Sequence, residues 1–235
     1  GFDWSAWAAE FGIASAPSVI VGQPSYAKAM AAAVNEWPVD RWKTYLKAAV
    51  IRAYAPILSK AFVDARFEFY GKTLSGTPEL QPRWKRAVNT INGNLGEMVG
   101  RLYVAKHFPP AAKARIERLV ENLRAGYRDG ITHLDWMSPE TKKQALDKLA
   151  AFTPKIGYPE KWRDYSAVTI RPDDLVGNLM SAIANETAYQ LGKVGRPVDQ
   201  TEWGMTPQTI NAYYNPMRNE VVFPAAILQP PFFNM

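Results

Sequence analysis

Thr209-Ile210-Asn211-Ala212-Tyr213-Tyr214, then Asn215-Pro216-Met217-Arg218-Asn219, then Glu220-Val221-Val222-Phe223-Pro224: this stretch decides how the chain is read. The first six residues are rich in β-branched and aromatic types and predict a strand. The next five hold Asn and Pro and predict a turn. Glu220 to Phe223 predicts a second strand, so the whole is a β-hairpin with a loop longer than the two-residue minimum. Pro224 should end the pairing, since proline cannot donate to a ladder. An unpaired strand edge offers N–H and C=O groups to an extended peptide. An asparagine amide at such an edge carries both a donor and an acceptor, enough to grip a peptide unit at two points. A small neighbour such as Ala212 would let that peptide come close. From pattern alone, an ordinary hairpin with Asn211 facing solvent is the favoured reading.

Upstream of the hairpin, helical signals dominate. Ser18-Val19-Ile20-Val21-Gly22 predicts one brief strand. Pro24-Ser25 opens an alanine-rich helix to Asn35, and Trp37-Pro38 breaks it, with Pro38 as the first residue of the next helix. Pro56 marks another break. Trp84, Val88, Ile91, Leu95, Val99 and Leu102 recur at helical spacing and predict one long helix from about Leu80 to Phe108. Pro109-Pro110 stops it and starts another. His133 is expected in a loop before Asp135-Trp136. Ser138-Pro139-Glu140 is a clear helix start: hydroxyl cap, proline in the first turn, acid at the positive dipole end. Residues 153–172 hold three prolines and a glycine and predict a long ordered loop. Pro172-Asp173-Asp174 opens one more helix, which Gly192 and Gly195 end.

Composition narrows the chemistry. The 235 residues include no Cys and two His. That excludes a disulfide framework, a thiol nucleophile and a thiolate zinc site, and any zinc site here would need a carboxylate ligand. His107 and His133 lack the spacing of a His-Glu-x-x-His helix. Gly93, Gly96 and Gly100 follow no strand and match no nucleotide-binding loop, so close helix packing explains them better. Glu97 and Glu186 read as helical acids without an evident partner, and the Asn185-Glu186-Thr187 sequon is discounted because it falls in a helix. The net charge of +6 could suit nucleic acid. Yet the basic residues of 113–128 alternate with Glu117 and Glu121, as on a solvated helix face, so no nucleic-acid partner is expected. No run of eighteen apolar residues occurs. Gly1-Phe2-Asp3-Trp4 is neither a signal peptide nor an initiator methionine, and the apolar Pro231-Phe232-Phe233-Asn234-Met235 is unusual for a terminus. Both ends are read as cuts through a longer chain.

The stretch from Asn211 to Pro216, continued by Asn219-Glu220-Val221-Val222-Phe223-Pro224-Ala225-Ala226-Ile227-Leu228-Gln229-Pro230-Pro231-Phe232-Phe233, closely resembles the neprilysin family of zinc metallopeptidases, peptidase family M13, which includes bacterial oligoendopeptidases. Trp136-Met137-Ser138-Pro139-Glu140-Thr141-Lys142 and Lys155-Ile156-Gly157-Tyr158-Pro159-Glu160-Lys161-Trp162 are similar to further segments of that family. So are Pro197-Val198-Asp199 and Glu202-Trp203-Gly204-Met205-Thr206-Pro207. Before about residue 95 only the general helical character agrees.

The resemblance implies a mainly α fold, with a helical cap lobe and the start of a thermolysin-like α+β catalytic lobe carrying a substrate-binding β-hairpin. Residues 1–171 would belong to the cap lobe and 172–235 to the catalytic lobe. It implies that Asn211 and Ala212 bind the substrate backbone, and that Ile227, Phe232 and Phe233 help wall the S1′ pocket. It implies a Zn²⁺ cofactor, peptide substrates cut on the amino side of bulky apolar residues, and the remainder of the same polypeptide as a partner. The family's His-Glu-x-x-His helix, its third ligand and its transition-state histidine are not in these residues. No catalytic residue or metal ligand is therefore expected in this chain; the ligands are expected beyond Met235, and the fragment alone should be inactive. For location, the resemblance implies a bacterial protein outside the cytoplasm, whether periplasmic, secreted or membrane-tethered, and leaves a cytoplasmic one open. The alternative is a non-catalytic helical peptide-binding protein with a zinc-free version of the fold.

Overall fold

Proline and capping side chains set most helix starts. The computed structural model describes residues 3–234; Gly1, Phe2 and Met235, on which part of the reading of the termini rests, lie outside them. The helices are α1 (Trp4–Glu10), α2 (Pro24–Glu36), α3 (Val39–Tyr54), α4 (Lys60–Arg66), α5 (Arg83–Asn94), α6 (Gly96–His107), α7 (Pro110–His133), α8 (Pro139–Ala150) and α9 (Leu175–Leu191). The strands are β1 (Thr153–Gly157), β2 (Tyr213–Asn215) and β3 (Glu220–Pro224). The fold is mainly α, as the resemblance implies. The chain forms two compact units.

The first unit holds the described residues up to Val88 together with Ser166–Val198. Trp37 and Pro38 are both extended, so Pro38 caps α3 from outside and the helix opens at Val39, one residue later than expected. Pro56 sits in a 3₁₀ turn, Ala55–Ile57, after α3. Asp174 caps α9, its Oδ1 accepting the Gly177 N–H at 2.8 Å. The approach to α9 is tied to the helix itself. Arg171 N–H donates to Asn178 Oδ1 and the Asn178 amide donates back to the Arg171 carbonyl, both at 2.7 Å. The brief strand expected at Ser18–Gly22 does not form. A strand exists only through a ladder partner, and none lies beside this run; Ile20 is 95% exposed.

The second unit holds Asn89–Tyr165 and the described residues from Asp199 on. Ala112, Ile116 and Val120 recur every fourth residue along α7, one face of a helix. They bury against Phe108, Ile156 of β1 and Ala225. Ser138 caps α8, its Oγ accepting the Thr141 N–H at 3.2 Å. Arg124 of α7 donates to the Leu149 and Ala150 carbonyls at the other end of α8, at 3.4 and 3.3 Å.

Three expectations need correction in this unit. The segment 80–108 is two helices: Leu95 leaves the helical well (φ −129°, ψ 34°) between α5 and α6. Glycines on either side lower helix propensity, and two are needed for close approach. A Cβ on Gly96 would lie 2.7 Å from Thr206 Cγ2, and one on Gly100 2.7 Å from Pro207 Cδ. Gly93 faces open space. His133 is not in a loop but is the last residue of α7, its Nδ1 2.9 Å from the Asp129 carbonyl oxygen. Finally, residues 153–172 do not begin as a loop. Thr153–Gly157 forms β1, parallel to β3, with Thr153 opposite Glu220 and Gly157 opposite Pro224. Pro154 disguised it. Proline is tolerated on an edge strand when its missing N–H faces away from the ladder, and the sheet order β1-β3-β2 makes β1 an edge.

Gly157 ends β1 at φ +81°, and a Cβ there would overlap the Phe108 ring. Gly157→Ala in the full-length protein is therefore expected to cost about 2–4 kcal/mol, from left-handed strain plus overpacking. Urea unfolding measures it, and an unchanged midpoint would contradict this packing.

Candidate functional site

The hairpin forms, with Tyr213 opposite Val222, Tyr214 opposite Val221 and Asn215 opposite Glu220. Its first strand is shorter than expected and begins at Tyr213. Asn215 Oδ1 accepts the Met217 N–H at 3.0 Å, a side-chain mimic of a backbone turn. Asn219 closes the turn at φ 48°, a conformation asparagine tolerates better than most residues. Its amide donates to the Lys148 carbonyl at 2.8 Å, its Oδ1 accepts from Tyr214 Oη at 3.0 Å, and its carbonyl accepts the Thr153 N–H at 3.0 Å. The hairpin tip is thereby fastened to the end of α8 and the start of β1.

β2 is one edge of the sheet and β1 the other. They are not equivalent. The Thr153 N–H and the Gly157 carbonyl both bond toward β3, so the alternation of a parallel ladder turns Pro154 and Ile156 outward. Pro154 has no N–H, and the Ile156 carbonyl already accepts from Tyr158 N–H at 3.0 Å. The outer edge of β1 is blunted. A groove of about 980 Å³ lies there, between α7 and β1, lined by Glu117, Arg118, Tyr158, Lys161 and Trp203 among others.

Asn211 and Ala212 lie immediately before β2, Asn211 exposed and Ala212 half-buried. Asn211 Oδ1 accepts the Ala212 N–H at 2.8 Å, and the Asn211 N–H donates to the Thr209 carbonyl at 3.0 Å. The Asn211 amide NH₂ makes no hydrogen bond to another described residue. Just upstream, Gln208 donates to Asn92 Oδ1 (3.1 Å) and to the Gly96 carbonyl (2.9 Å), and the Ala226 N–H donates to the Pro207 carbonyl at 2.9 Å. The chain reaches Asn211 from a tightly seated position.

Beyond β3, Ala225 and Ala226 are buried and Ile227 is half-buried. Gln229 anchors the following turn, donating to Tyr103 Oη at 2.8 Å and accepting the Phe232 and Phe233 N–H groups at its carbonyl. The two phenylalanines diverge. Phe233 packs against the α7 core with the Arg115 guanidinium 5.9 Å from its ring centre, whereas Phe232 is 67% exposed. No hydrogen bond or ring contact among the described residues joins Asn211 or Ala212 to Ile227, Phe232 or Phe233.

Sequence reasoning missed a buried charge group beneath the hairpin. Lys155 Nζ lies 2.7 Å from Glu220 Oε2, with side-chain exposures of 10% and 2%. Lys155 also donates to the Glu202 carbonyl at 3.0 Å, as does Arg218 Nη1 at 3.3 Å. The Arg218 guanidinium is 3.8 Å from Glu220 Oε1 and 3.9 Å from Glu202 Oε2, and Arg163 is 3.9 Å from Glu202 Oε1. The available signal was alternation: a period of two puts Glu220 on the buried face with Val222 and Pro224. Glu97 also has partners, accepting the Arg163 N–H at 2.7 Å while its own N–H meets Tyr165 Oη at 3.3 Å. Glu186 accepts from the Gln190 amide at 2.6 Å. Tyr213 Oη accepts the Gly204 N–H at 2.7 Å. Burial raises the Tyr213 phenol above its usual range, although the Gly204 bond pulls the other way. Among the described residues no three His, Cys, Asp or Glu side chains converge to hold a metal ion.

A family model described as Peptidase family M13 matches residues 1–159, and a second of the same description matches residues 211–235. The chain belongs to peptidase family M13. The neutral endopeptidase of Lactobacillus helveticus is 37% identical over 219 residues, covering 92% of this chain and 34% of that protein. Human neprilysin is 31% identical over 230 residues, covering 94% and 30%. A crystal structure of the Mycobacterium tuberculosis zinc metalloprotease ZMP1 with an inhibitor matches at 50% identity and a TM-score of 0.85, over all of this chain and 36% of that one. This M13 chain thus spans about a third of the length of the relatives it matches.

Tyr213→Phe is expected to cost about 1 kcal/mol by removing the hydrogen bond to the Gly204 N–H. Because folding holds the neutral phenol, that advantage is fully present below the ordinary tyrosine pKa near 10 and is lost as pH rises through the raised folded value. Urea unfolding of both proteins across alkaline pH measures this. A wild-type advantage that grew with pH would contradict it.

Proposed function

We propose that this chain is part of a zinc-dependent metalloendopeptidase and supplies a cavity wall and the strand that receives the substrate backbone. In this reading residues 1–171 belong to a helical cap lobe and 172–235 open the catalytic lobe. Supporting that division, the first family match ends at residue 159 and the second begins at 211. The observation that carries the reading is the contrast between the sheet's two edges. β1 is blunted by Pro154, whereas β2 is entered by an exposed Asn211 with an uncommitted amide NH₂ and a small residue beside it.

The chemistry is that of strand addition. The Asn211 NH₂ donates to a substrate carbonyl, and Oδ1 keeps a second lone pair for a substrate N–H. Ala212 lets the peptide backbone approach. Ile227, Phe232 and Phe233 contribute an apolar wall for the residue on the far side of the scissile bond. The exposure of Phe232 supports this, since an apolar ring in solvent is available to a ligand. Among the described residues the side chains do not fit a catalytic zinc, and no step of hydrolysis is assigned to them. The zinc ligands belong to the remainder of the polypeptide, the partner that completes the site. Substrates are peptides cut on the amino side of bulky apolar residues. We place the protein outside the cytoplasm of a bacterium, whether periplasmic, secreted or membrane-tethered. No described helix is long and apolar enough to cross a membrane.

Purified full-length protein is expected to cleave a quenched fluorogenic peptide with a large apolar P1′ residue, to lose activity on chelation and to regain it with zinc. Cleavage that survives complete zinc removal would contradict the reading. Asn211→Ala is expected to lower kcat/KM about tenfold or more, mainly through KM, with folding and zinc content intact. Unchanged kinetics would remove the role. Phe232→Ala is expected to weaken the P1′ preference at little cost in stability, because the ring is exposed. A substrate panel with the wild-type preference would count against the wall.

A further inference from the structure

We infer that Lys155, Arg218 and Glu220 set the register of the hairpin and thereby position Asn211 and Ala212, which makes Lys155 a positioning residue for peptide binding. This rests on the proposed role of the β2 edge.

The connections run from β1 to the edge. Lys155 Nζ sits between Glu220 Oε2 (2.7 Å) and the Glu202 carbonyl (3.0 Å). Arg218, from the hairpin turn, donates to the same carbonyl at 3.3 Å. Two residues further, the Gly204 N–H donates to Tyr213 Oη at 2.7 Å, and Tyr213 directly follows Ala212. The segment 202–204 is therefore held by cations from β1 and from the turn, and it holds the residue next to the substrate edge. Glu220 itself faces Asn215 across the closed end of the hairpin and Thr153 on the other side.

Charges serve this purpose better than apolar groups would. A buried ion pair adds little net stability, yet breaking one by removing a single partner is costly. A slip of β3 by one residue would turn Glu220 to the opposite face and strand Lys155. The same slip would displace the chain that leads back through β2 to Asn211. The pair thus penalises every register but one, and does so at the strand opposite the proposed substrate path.

The test is a mutant cycle in the full-length, zinc-loaded protein, read on a fluorogenic peptide. Lys155→Met is expected to raise KM about three- to tenfold with kcat within about twofold. In the Asn211→Ala background the same change is expected to raise KM by a smaller factor than it does alone, because the amide it positions is gone. KM increases that multiply in the double variant would overturn the inference, as would a wild-type KM for folded Lys155→Met. If Lys155→Met does not fold, Lys155→Met with Glu220→Gln removes both charges of the pair; the same KM rise is expected there, and a wild-type KM would overturn the inference. A wild-type KM for Asn211→Ala alone would instead bring down the substrate-edge reading beneath it.

Discussion

A carboxylate that is 2% exposed at the head of the central strand is costly to bury without a cation beside it. Glu220 meets this constraint with Lys155 from β1 and Arg218 from the hairpin turn. Those two cations also converge on one carbonyl, that of Glu202. Segments far apart in sequence, at residues 155, 202 and 218–220, are therefore tied at one buried point. The sheet, the turn and the approach to Asn211 all lean on it.

Close packing supplies the second support. Gly96 and Gly100 admit Thr206 and Pro207 to distances that any larger residue would forbid. Gln208 then bonds Asn92 and the Gly96 carbonyl from the same segment. Between this seat and the charge group, the chain from Pro207 to Tyr213 has little freedom. Rigidity matters at a receiving edge, because a peptide that adds to a fixed strand need not also bear the entropy of ordering it. At the other edge, Pro154 and the occupied Ile156 carbonyl discourage addition, which leaves β2 as the edge proposed to receive a peptide.

Local signals were read well from sequence where the physics is local. Ser138, Pro139 and Glu140 announced α8, Asp174 announced α9, and the Asn-Pro turn announced the hairpin. Signals that depend on distant partners were not. β1 was hidden because Pro154 argues against a strand unless the strand is an edge, which only the sheet order reveals. The break at Leu95 was hidden because the apolar spacing continues through it, while the residues that pack against its glycines, Thr206 and Pro207, lie more than a hundred positions away. Ser18–Gly22 failed for the converse reason: strand composition without a partner. At the candidate site, pattern offered Asn211 and Ala212 as a possible grip on a peptide but favoured an ordinary hairpin; their substrate role came from family resemblance. The Lys155–Glu220 pair went unnoticed although alternation along β3 placed Glu220 inside.

The most direct measurement is a structure of the full-length protein with a bound, uncleaved peptide analogue. If the β2 edge receives substrate, the peptide backbone will run beside Tyr213–Asn215 with the Asn211 amide bonded to one of its peptide units. A peptide held elsewhere, for example in the groove between α7 and β1, with Asn211 still in solvent, would contradict that assignment.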